Sequence, residues 1–271
     1  MKIEAKSKLE EHILSHLTPE GGFLDLEDKN VTPEYLRLLC QAGETLQKVK
    51  QLDLSNNGLG DAEIELLSKS RCLPKLEKLF LNHNKISDSG AKILAESKLV
   101  QNISCLMLEA NQIGVNGAQS LATSLNLKNL ETLFLDSNPI GPEGAEALAR
   151  STCLPSLTAL HMDSTGMGDQ GVKAIAASQT LSKIKKLYLC SNKIGDEGAI
   201  ALSQSPNLSH LTCLSIWRNE IRDAGGKAIA ESNHFLKLER LYMSLNLIEK
   251  PTRKLIRASD MASRLKTLVM D

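Results

Sequence analysis

Residues 184–203 read IKKLYLCSNKIGDEGAIALS, and most of the chain consists of variants of this stretch. Its asparagine, Asn192, has counterparts at a spacing of 27 residues, and Thr165 stands in at one position of the series. The asparagines of this series are Asn57, Asn84, Asn111, Asn138, Asn192, Asn219 and Asn246. A period that is kept without insertion over eight copies predicts a protein of stacked repeats.

Each repeat carries the signals of one strand and one helix. Leucines five and three residues before each asparagine have the alternation of a half-buried strand. The strands are predicted to centre on Leu52, Leu79, Leu106, Leu133, Leu160, Leu187, Leu214 and Leu241. After the asparagine, one column holds Asp61, Asp88, Asp169, Asp196 and Asp223, with Pro142 in the same place. This column indicates a helix start, because a carboxylate there can accept bonds from free backbone N–H groups and proline is tolerated.

Two polar ladders have structural explanations. An asparagine amide carries donors and an acceptor, so the asparagine ladder can satisfy backbone groups at the turn after each strand. A serine ends each helix at 27-residue steps from Ser70 to Ser259, and this regular placement favours bonds to local backbone groups over phosphorylation. Thr165 cannot replace the whole amide, and Met162 and Met167 replace branched residues in its repeat. We therefore expect this repeat to be the least stable one.

The pattern resembles the leucine-rich repeats of the ribonuclease-inhibitor-like class, from Leu46 to Asp271 and more weakly from Phe23. The resemblance implies an α/β fold, a right-handed horseshoe-shaped solenoid with a parallel sheet on the concave face and helices on the convex face. It also implies a module that binds another protein along the concave face. A repeat scaffold alone does not identify the partner.

The chain is predicted to have three regions. Residues 1–48 are expected to form an N-terminal helical cap and a degenerate first repeat, in which Lys29 takes the asparagine position. Residues 49–248 form the repeat array, and residues 249–271 form a C-terminal cap, because a stacked core has two ends to cover. Residues 1–21 read as one amphipathic helix. Its predicted apolar face consists of Ile3, Leu9, Ile13, Leu14 and Leu17.

Composition narrows the classes of partner. The chain has 32 basic and 32 acidic residues, and this balance disfavours a general binder of nucleic acid or anionic membranes. The charged N-terminus does not resemble a secretion signal, and six cysteines without a CxxC motif are expected to be reduced thiols. We therefore expect an intracellular, cytoplasmic monomer. No phosphate-binding loop, dinucleotide fingerprint or HExxH motif is present, so no cofactor is predicted.

Outward-facing strand positions form two predicted columns on the concave face. The ring column, between the two strand leucines, reads Asp53, Phe80, Met107, Phe134, His161, Tyr188, Ser215, Tyr242 and Val269. The acidic column, after the second leucine, reads Ser55, Asn82, Glu109, Asp136, Asp163, Cys190, Trp217, Ser244 and Asp271. Five of the eight aromatic residues fall in these columns. Aromatic anchors on an open face indicate a protein-recognition surface, and the alternative is that aromatic residues simply suit strands.

Charge along this face suggests what a partner would carry. The acidic run of Glu109, Asp136 and Asp163 stacks like charges, which a basic partner segment would relieve. A solvated acidic face is an equal alternative, and a divalent cation is a weaker one, because three carboxylates on a flat sheet make a poor cage. Basic residues follow towards the C-terminus: Lys185, Lys186, Arg218, Arg240 and Lys266. The predicted partner-binding residues are Phe80, Met107, Glu109, Phe134, Asp136, His161, Asp163, Tyr188, Trp217, Arg218 and Tyr242.

Catalysis is not predicted. Cys190, His161 and Asp163 superficially suggest a nucleophile, a base and an orienting group, but nothing supplies an oxyanion hole or a closed pocket. The sequence favours a non-catalytic protein-binding module that acts as an inhibitor, adaptor or effector. Because some proteins of the class activate small GTPases, that role is the alternative, and a purely structural array is third. Stand-alone regular arrays also resemble effectors that intracellular bacteria deliver into the host cytosol.

Overall fold

The computed structural model describes residues 11–41 and 46–271, which build one parallel sheet with a row of helices behind it. Each strand pairs with the next strand of the chain, and the pairing joins equivalent positions of adjacent repeats, as in Leu160 with Leu187. The strands are β1 (Phe23–Asp25), β2 (Gln51–Asp53), β3 (Lys78–Phe80), β4 (Cys105–Met107), β5 (Thr132–Phe134), β6 (Ala159–His161), β7 (Lys186–Tyr188), β8 (Cys213–Ser215), β9 (Arg240–Tyr242) and β10 (Thr267–Val269).

One helix follows each of the first eight strands, and two short helices precede β10. The helices are α1 (Pro33–Gln41), α2 (Asp61–Ser68), α3 (Asp88–Glu96), α4 (Val115–Ala122), α5 (Gly141–Ala149), α6 (Gly168–Ala177), α7 (Asp196–Ser203), α8 (Asp223–Ala230), α9 (Lys250–Arg257) and α10 (Asp260–Arg264). Short 3-10 turns at Lys98–Val100 and Pro206–Leu208 follow α3 and α7. This alternation confirms the predicted α/β solenoid, with the sheet on the concave face and the helices on the convex face.

The core lies between the sheet and the helices and is almost entirely aliphatic. Both strand leucines of a repeat, such as Leu187 and Leu189, are fully buried. Burying one such side chain contributes about 1.5–3 kcal/mol. The predicted strand centres are therefore confirmed, and the residues that flank each leucine face the other side of the sheet.

The asparagine ladder joins adjacent repeats through their backbones. The Asn84 amide nitrogen donates to the carbonyls of Leu54, Leu81 and Asn82, at 3.0–3.1 Å. Its amide oxygen accepts from the N–H of Leu59 at 2.9 Å. The prediction that the asparagine side chains pair with backbone N–H and carbonyl groups at the turn is confirmed.

Thr165 changes the two turns beside it. Its hydroxyl lies 3.1 Å from the Met162 carbonyl oxygen, which a ladder amide would otherwise approach. In the preceding repeat, the Gly141 N–H turns to the Thr165 carbonyl at 3.0 Å. Gly141 and Gly168 have φ of 67° and 57°, and such left-handed backbone is accessible to glycine without a Cβ penalty. The lower stability of this repeat stays a prediction.

The aspartate column caps the helix of the following repeat. The Asp169 carboxylate accepts from the N–H groups of Gly195 and Gly198 at 2.7 and 3.0 Å, at the start of α7. This contact also explains the glycine of the Gly-Ala step, because a Cβ on Gly198 would lie 2.5 Å from Asp169 Oδ1. The sequence predicted a capped helix start, and the structure shows that the helix belongs to the next repeat.

The serine ladder closes the helix of the preceding repeat. The Ser97 hydroxyl donates to the Ser68 carbonyl at 2.9 Å, and the Ser232 hydroxyl donates to the Ser203 carbonyl at 2.6 Å. These carbonyls lie in the last turn of α2 and α7, where helices have unpaired acceptors. The predicted hydroxyl–backbone bonds are confirmed, and they hold neighbouring repeats together.

The N-terminal segment differs from the predicted helix. Residues 1–10, including Ile3 and Leu9, lie outside the described residues, and helical backbone at residues 11–15 is followed by a turn. Leu17 forms an antiparallel bridge with Leu24. The prediction that the helix reaches residue 21 is therefore wrong, and one physical reason is that Pro19 disfavours helical backbone at the residue before it.

The predicted apolar face is also only partly correct. Ile13 is buried, whereas Leu14 is 45% exposed. The backbone of residues 16–18 occupies the outer edge of β1, since the Asp25 N–H donates to the His16 carbonyl at 3.1 Å. Covering an edge strand in this way prevents pairing with other chains. The assignment of residues 1–48 and 249–271 as caps stays a prediction.

The degenerate first repeat follows the ladder. The Asn57 amide oxygen accepts from the N–H of Lys29 at 3.1 Å and of Val31 at 3.0 Å, which places Lys29 at the predicted asparagine position.

All six cysteines are free thiols. Within residues 11–41 and 46–271, no helix combines the length and the apolar character needed to span a bilayer.

Candidate protein-binding surface

The strand register places the ring column on one face of the sheet. Phe80, Met107, Phe134, His161 and Tyr188 occupy paired positions on five successive strands, and all are half-buried. Tyr242 lies in the same column, after the small and buried Ser215. The predicted column is thus present as a continuous strip.

Three rings of this column form a stack, and Phe134, His161 and Tyr188 are called the ring stack below. The Phe134 and His161 centroids are 3.8 Å apart with planes at 25°, and those of His161 and Tyr188 are 4.1 Å apart with planes at 12°. Neighbouring strands lie about 4.8 Å apart, so in-register rings can meet face to face. The stack holds three flat side chains in fixed positions on the concave face.

The ring stack is uncharged at neutral pH. Burial lowers the pKa of His161 to about 4, and the nearby positive charge of Lys186 acts in the same direction. Burial also raises the pKa of Tyr188 to about 12, together with the contact of its hydroxyl with the Cys213 thiol at 3.6 Å. His161 is therefore a neutral aromatic surface rather than a cation or a poised base.

The acidic run follows the ring stack along the strand ends. Asp136 accepts from the Asp163 N–H at 2.6 Å, and Asp163 accepts from the Cys190 N–H at 2.6 Å. Asp136 and Asp163 therefore each have one carboxylate oxygen bound to the next repeat. No salt bridge among the described residues includes Asp136, Asp163 or Glu109.

Burial and nearby negative charge make Asp136 and Asp163 costly to ionise. Burial raises the pKa of Asp136 to about 7, and the negative charges of Asp163 and Glu109 add to the effect while the backbone hydrogen bond opposes it. Burial also raises the pKa of Asp163. The acidic run is thus a strip of carboxylates that lacks a counter-ion in this part of the chain.

The weaker divalent-cation hypothesis gains no support at the acidic run. Within the described residues, one group of three potential ligands has its atoms within 4.8 Å of one another, and it lies at the N-terminal end of the sheet. That group is Asp25, Glu27 and Asp53. Two of its members are exposed, and exposed acidic groups are common without a bound ion.

Cys190, His161 and Asp163 do not form a nucleophile, a base and an orienting group. The Cys190 sulfur is buried 3.0 Å from the Ser215 hydroxyl, and burial raises the pKa of this thiol to about 11. The thiolate is therefore disfavoured at neutral pH. The His161 ring is stacked between two aromatic rings.

The remaining predicted residues, Trp217 and Arg218, lie beyond the ring stack and the acidic run, towards the C-terminal end of the sheet. Trp217 is 37% exposed, and the exposed Arg218 lines a surface cavity of about 490 Å³ with Lys193. Of the basic residues expected on this face, Lys266 pairs with Glu239 at 3.0 Å, which offsets its charge.

Sequence reasoning placed Lys186 and Arg240 on this face but did not recognise that the first residue of each strand forms a third column. It contains Phe23, Lys186 and Arg240. The Phe23 ring meets the Phe80 ring edge to face, with centroids 6.5 Å apart. The alternation of strand side chains could have identified this column, because residues two apart share a face.

Six segments of the chain match the profile of a leucine-rich repeat, and together they cover more than half of the sequence. They are residues 45–67, 72–95, 126–149, 153–176, 180–203 and 207–230. The chain belongs to the leucine-rich repeat family. A search among curated proteins found no match for this leucine-rich repeat protein. The repeat around Asn111 lies between matched segments, and its amide bonds to the carbonyls of Leu81 and Leu108 follow the ladder pattern. Leucine-rich repeats are generally protein–protein interaction modules and typically non-catalytic scaffolds.

We expect Asp136→Asn to raise the free energy of unfolding by more at high pH than at low pH. The pKa of Asp136 is about 7 in the fold, against an ordinary value of 3.8. Between these values the folded state holds a proton that the unfolded state has lost, so the contribution of Asp136 to stability falls as pH rises through this window. The lowered pKa of His161, about 4 against an ordinary value of 6.5, has the opposite effect on stability. Between these two values the unfolded state binds the extra proton, so the contribution of His161 to stability rises with pH.

Urea denaturation of both proteins from pH 4 to pH 8 would measure this effect, since the His161 contribution is largely common to the two. The matched control is Glu96→Gln, at an exposed position of α3. We expect the stability difference between variant and wild type to grow with pH for Asp136→Asn and to stay level for Glu96→Gln. A level difference for Asp136→Asn would show that Asp136 ionises without cost.

Proposed function

We propose that this leucine-rich repeat protein binds another protein through the concave face, with the ring column and the acidic run as its contact strip. The observation that carries the proposal is the ring stack, whose half-buried rings stand on an open face while aliphatic residues fill the core. Aromatic side chains are enriched among residues that dominate binding energy. Rings already fixed by stacking lose little conformational entropy when a partner covers them.

A structural role for the rings is the competing explanation. Stacked rings on neighbouring strands stabilise a sheet by about 0.5–1.5 kcal/mol per pair beyond the area they bury. That explanation accounts for Phe134, His161 and Tyr188, which contact one another. It does not account for Trp217, which lies in the acidic column with over a third of its surface exposed.

The proposal is tested by affinity capture from cell lysate with three baits. Circular dichroism checks that all three baits are folded alike. The first is the wild-type chain, and the second carries Phe134→Ala, Tyr188→Ala and Trp217→Ala. The third is a matched control in which large exposed apolar residues outside the strip are shortened: Leu125→Ala, Leu236→Ala and Leu255→Ala. We expect a protein that is held by the first and third baits and lost by the second. Retention by all three would contradict the assignment of the concave face.

The setting of this interaction is part of the proposal. Six free thiols suit a reducing compartment, which supports an intracellular protein. We propose a monomer there, because the stacking units are joined within one chain. Delivery into a host cell is a further hypothesis that rests on the regularity of the repeats alone.

A further inference from the structure

The acidic run has features of a cation site that an ordinary solvated surface lacks. Its three carboxylates stand on consecutive repeats, and neighbouring strands are about 4.8 Å apart. Asp136 and Asp163 are half-buried rather than fully solvated. Like charges at this spacing repel, and the repulsion is stronger where water is partly excluded.

Asp136 and Asp163 each have one carboxylate oxygen in a hydrogen bond within the protein and a second oxygen available to a partner. The bonded oxygen of each accepts from a backbone N–H of the next repeat, at 2.6 Å in both cases. The bound oxygens fix the orientation of the carboxylates, and the described chain supplies no salt bridge to them. A fixed carboxylate can receive a planar guanidinium without a further loss of side-chain entropy.

The ring stack adds a second element beside the carboxylates. Phe134 and Asp136 are two residues apart along one repeat, and so are His161 and Asp163. Residues two apart on a strand share a face, so each ring lies beside a carboxylate. Arginine binds carboxylates through its planar fork. The faces of the His161 ring are covered by Phe134 and Tyr188, so it is the aliphatic stem of an arginine that can pack against the exposed parts of the rings. The juxtaposition therefore favours arginine over a small inorganic cation, which has neither a planar fork nor an apolar stem.

We propose that the segment of the partner that occupies the concave face carries arginine, with a guanidinium bound by Asp136 and Asp163 beside the ring stack. This inference rests on the proposed function and specifies the chemistry of the partner. Binding favours the ionised form of both carboxylates, so formation of the complex releases protons near pH 7, where Asp136 is partly protonated. The charged groups that act on Asp136 are Asp163 and Glu109 in the acidic run. The titratable ring of His161 lies on the adjoining strand β6, and Lys186, on β7, acts on His161.

The test uses the full chain and two short peptides. In the first peptide, arginine alternates with serine; in the second, citrulline replaces arginine, which keeps the shape and removes the charge. The chain has a single tryptophan, Trp217, which lies in the acidic column and reports binding by its fluorescence. Calorimetry in buffers of different ionisation enthalpy measures the proton that is released.

The decisive variant is Asp136→Asn with Asp163→Asn. The amide oxygens can still accept the two backbone N–H groups, so the fold should be retained, and circular dichroism and urea denaturation check this. The matched control is Glu96→Gln with Glu231→Gln at exposed positions on the helical side, which also replaces two carboxylates by amides. The two variants are compared at pH 8, where Asp136 is mostly ionised, so that general attraction of a cationic peptide is nearly equal in both.

We expect the arginine peptide to bind the wild-type chain and the control. It should bind the Asp136, Asp163 variant at least about tenfold more weakly, since both charge contacts to the guanidinium are lost. The citrulline peptide should not bind, and the arginine peptide should bind more tightly at pH 8 than at pH 6. Equal weakening in both variants, or no binding to wild type, would overturn the arginine assignment. If capture still depends on the rings in that case, the proposed function stands without it; if capture is independent of the rings, the proposed function fails as well.

Discussion

Asn192→Ala is expected to lower the free energy of unfolding by at least about 3 kcal/mol. The side chain is 1% exposed. Its amide nitrogen donates to the carbonyls of Met162 and Cys190 at 2.7 and 3.1 Å. Its amide oxygen accepts from the N–H groups of Thr165 and Gly166, both at 2.9 Å. Each buried polar group left without a partner costs about 1–3 kcal/mol, and alanine would leave several.

The effect should exceed that at other ladder positions, because Asn192 also receives the Thr165 hydroxyl at 3.0 Å. Asn192 thus compensates for the missing amide of the preceding repeat. Urea denaturation gives the free energy of unfolding, and Asn116→Ala is the matched control, since Asn116 is exposed on α4. The control should change stability by no more than about 0.5 kcal/mol. Equal effects of the two substitutions would mean that water replaces the ladder amide without cost.

The repeat period made the sheet predictable before its structure was known. A spacing of 27 residues without insertion permits one in-register pairing, so Leu160 must lie beside Leu187. The alternation around each leucine then assigns every neighbour to the core or to the open face. The N-terminal segment has no such constraint, and its apolar spacing suits a helix as well as the Leu17–Leu24 bridge that the structure contains.

Membership of the columns was predictable, but the chemistry of the columns was not. Sequence placed His161 between Phe134 and Tyr188, yet the neutral, stacked state of His161 depends on ring distances and burial that a sequence does not contain. The same applies to Asp136, whose raised pKa comes first from burial. Likewise, the aspartate column predicted a capped helix start, but only packing shows that Asp169 caps the helix of the next repeat.

Leu187→Ala is expected to lower the free energy of unfolding by about 2–5 kcal/mol, because it removes a fully buried side chain and leaves a cavity in the core. Its neighbour Tyr188 faces the opposite side of the sheet and is half-buried. Tyr188→Ala loses the stacking with His161, which is worth about 0.5–1.5 kcal/mol beyond the buried area, and leaves no cavity between sheet and helices. Leu187→Ala should therefore cost more stability than Tyr188→Ala.

Binding should show the reverse order. Partner capture by the Leu187→Ala protein, measured below its unfolding transition, should equal that of wild type, whereas capture by the Tyr188→Ala protein should be lost or strongly reduced. Urea denaturation and capture on the same preparations measure both quantities. If Tyr188→Ala destabilises the protein as much as Leu187→Ala and leaves capture unchanged, the ring stack is a second core on the concave face. The strip would then stabilise the sheet, and the contact with a partner would have to lie on the turns or the helices.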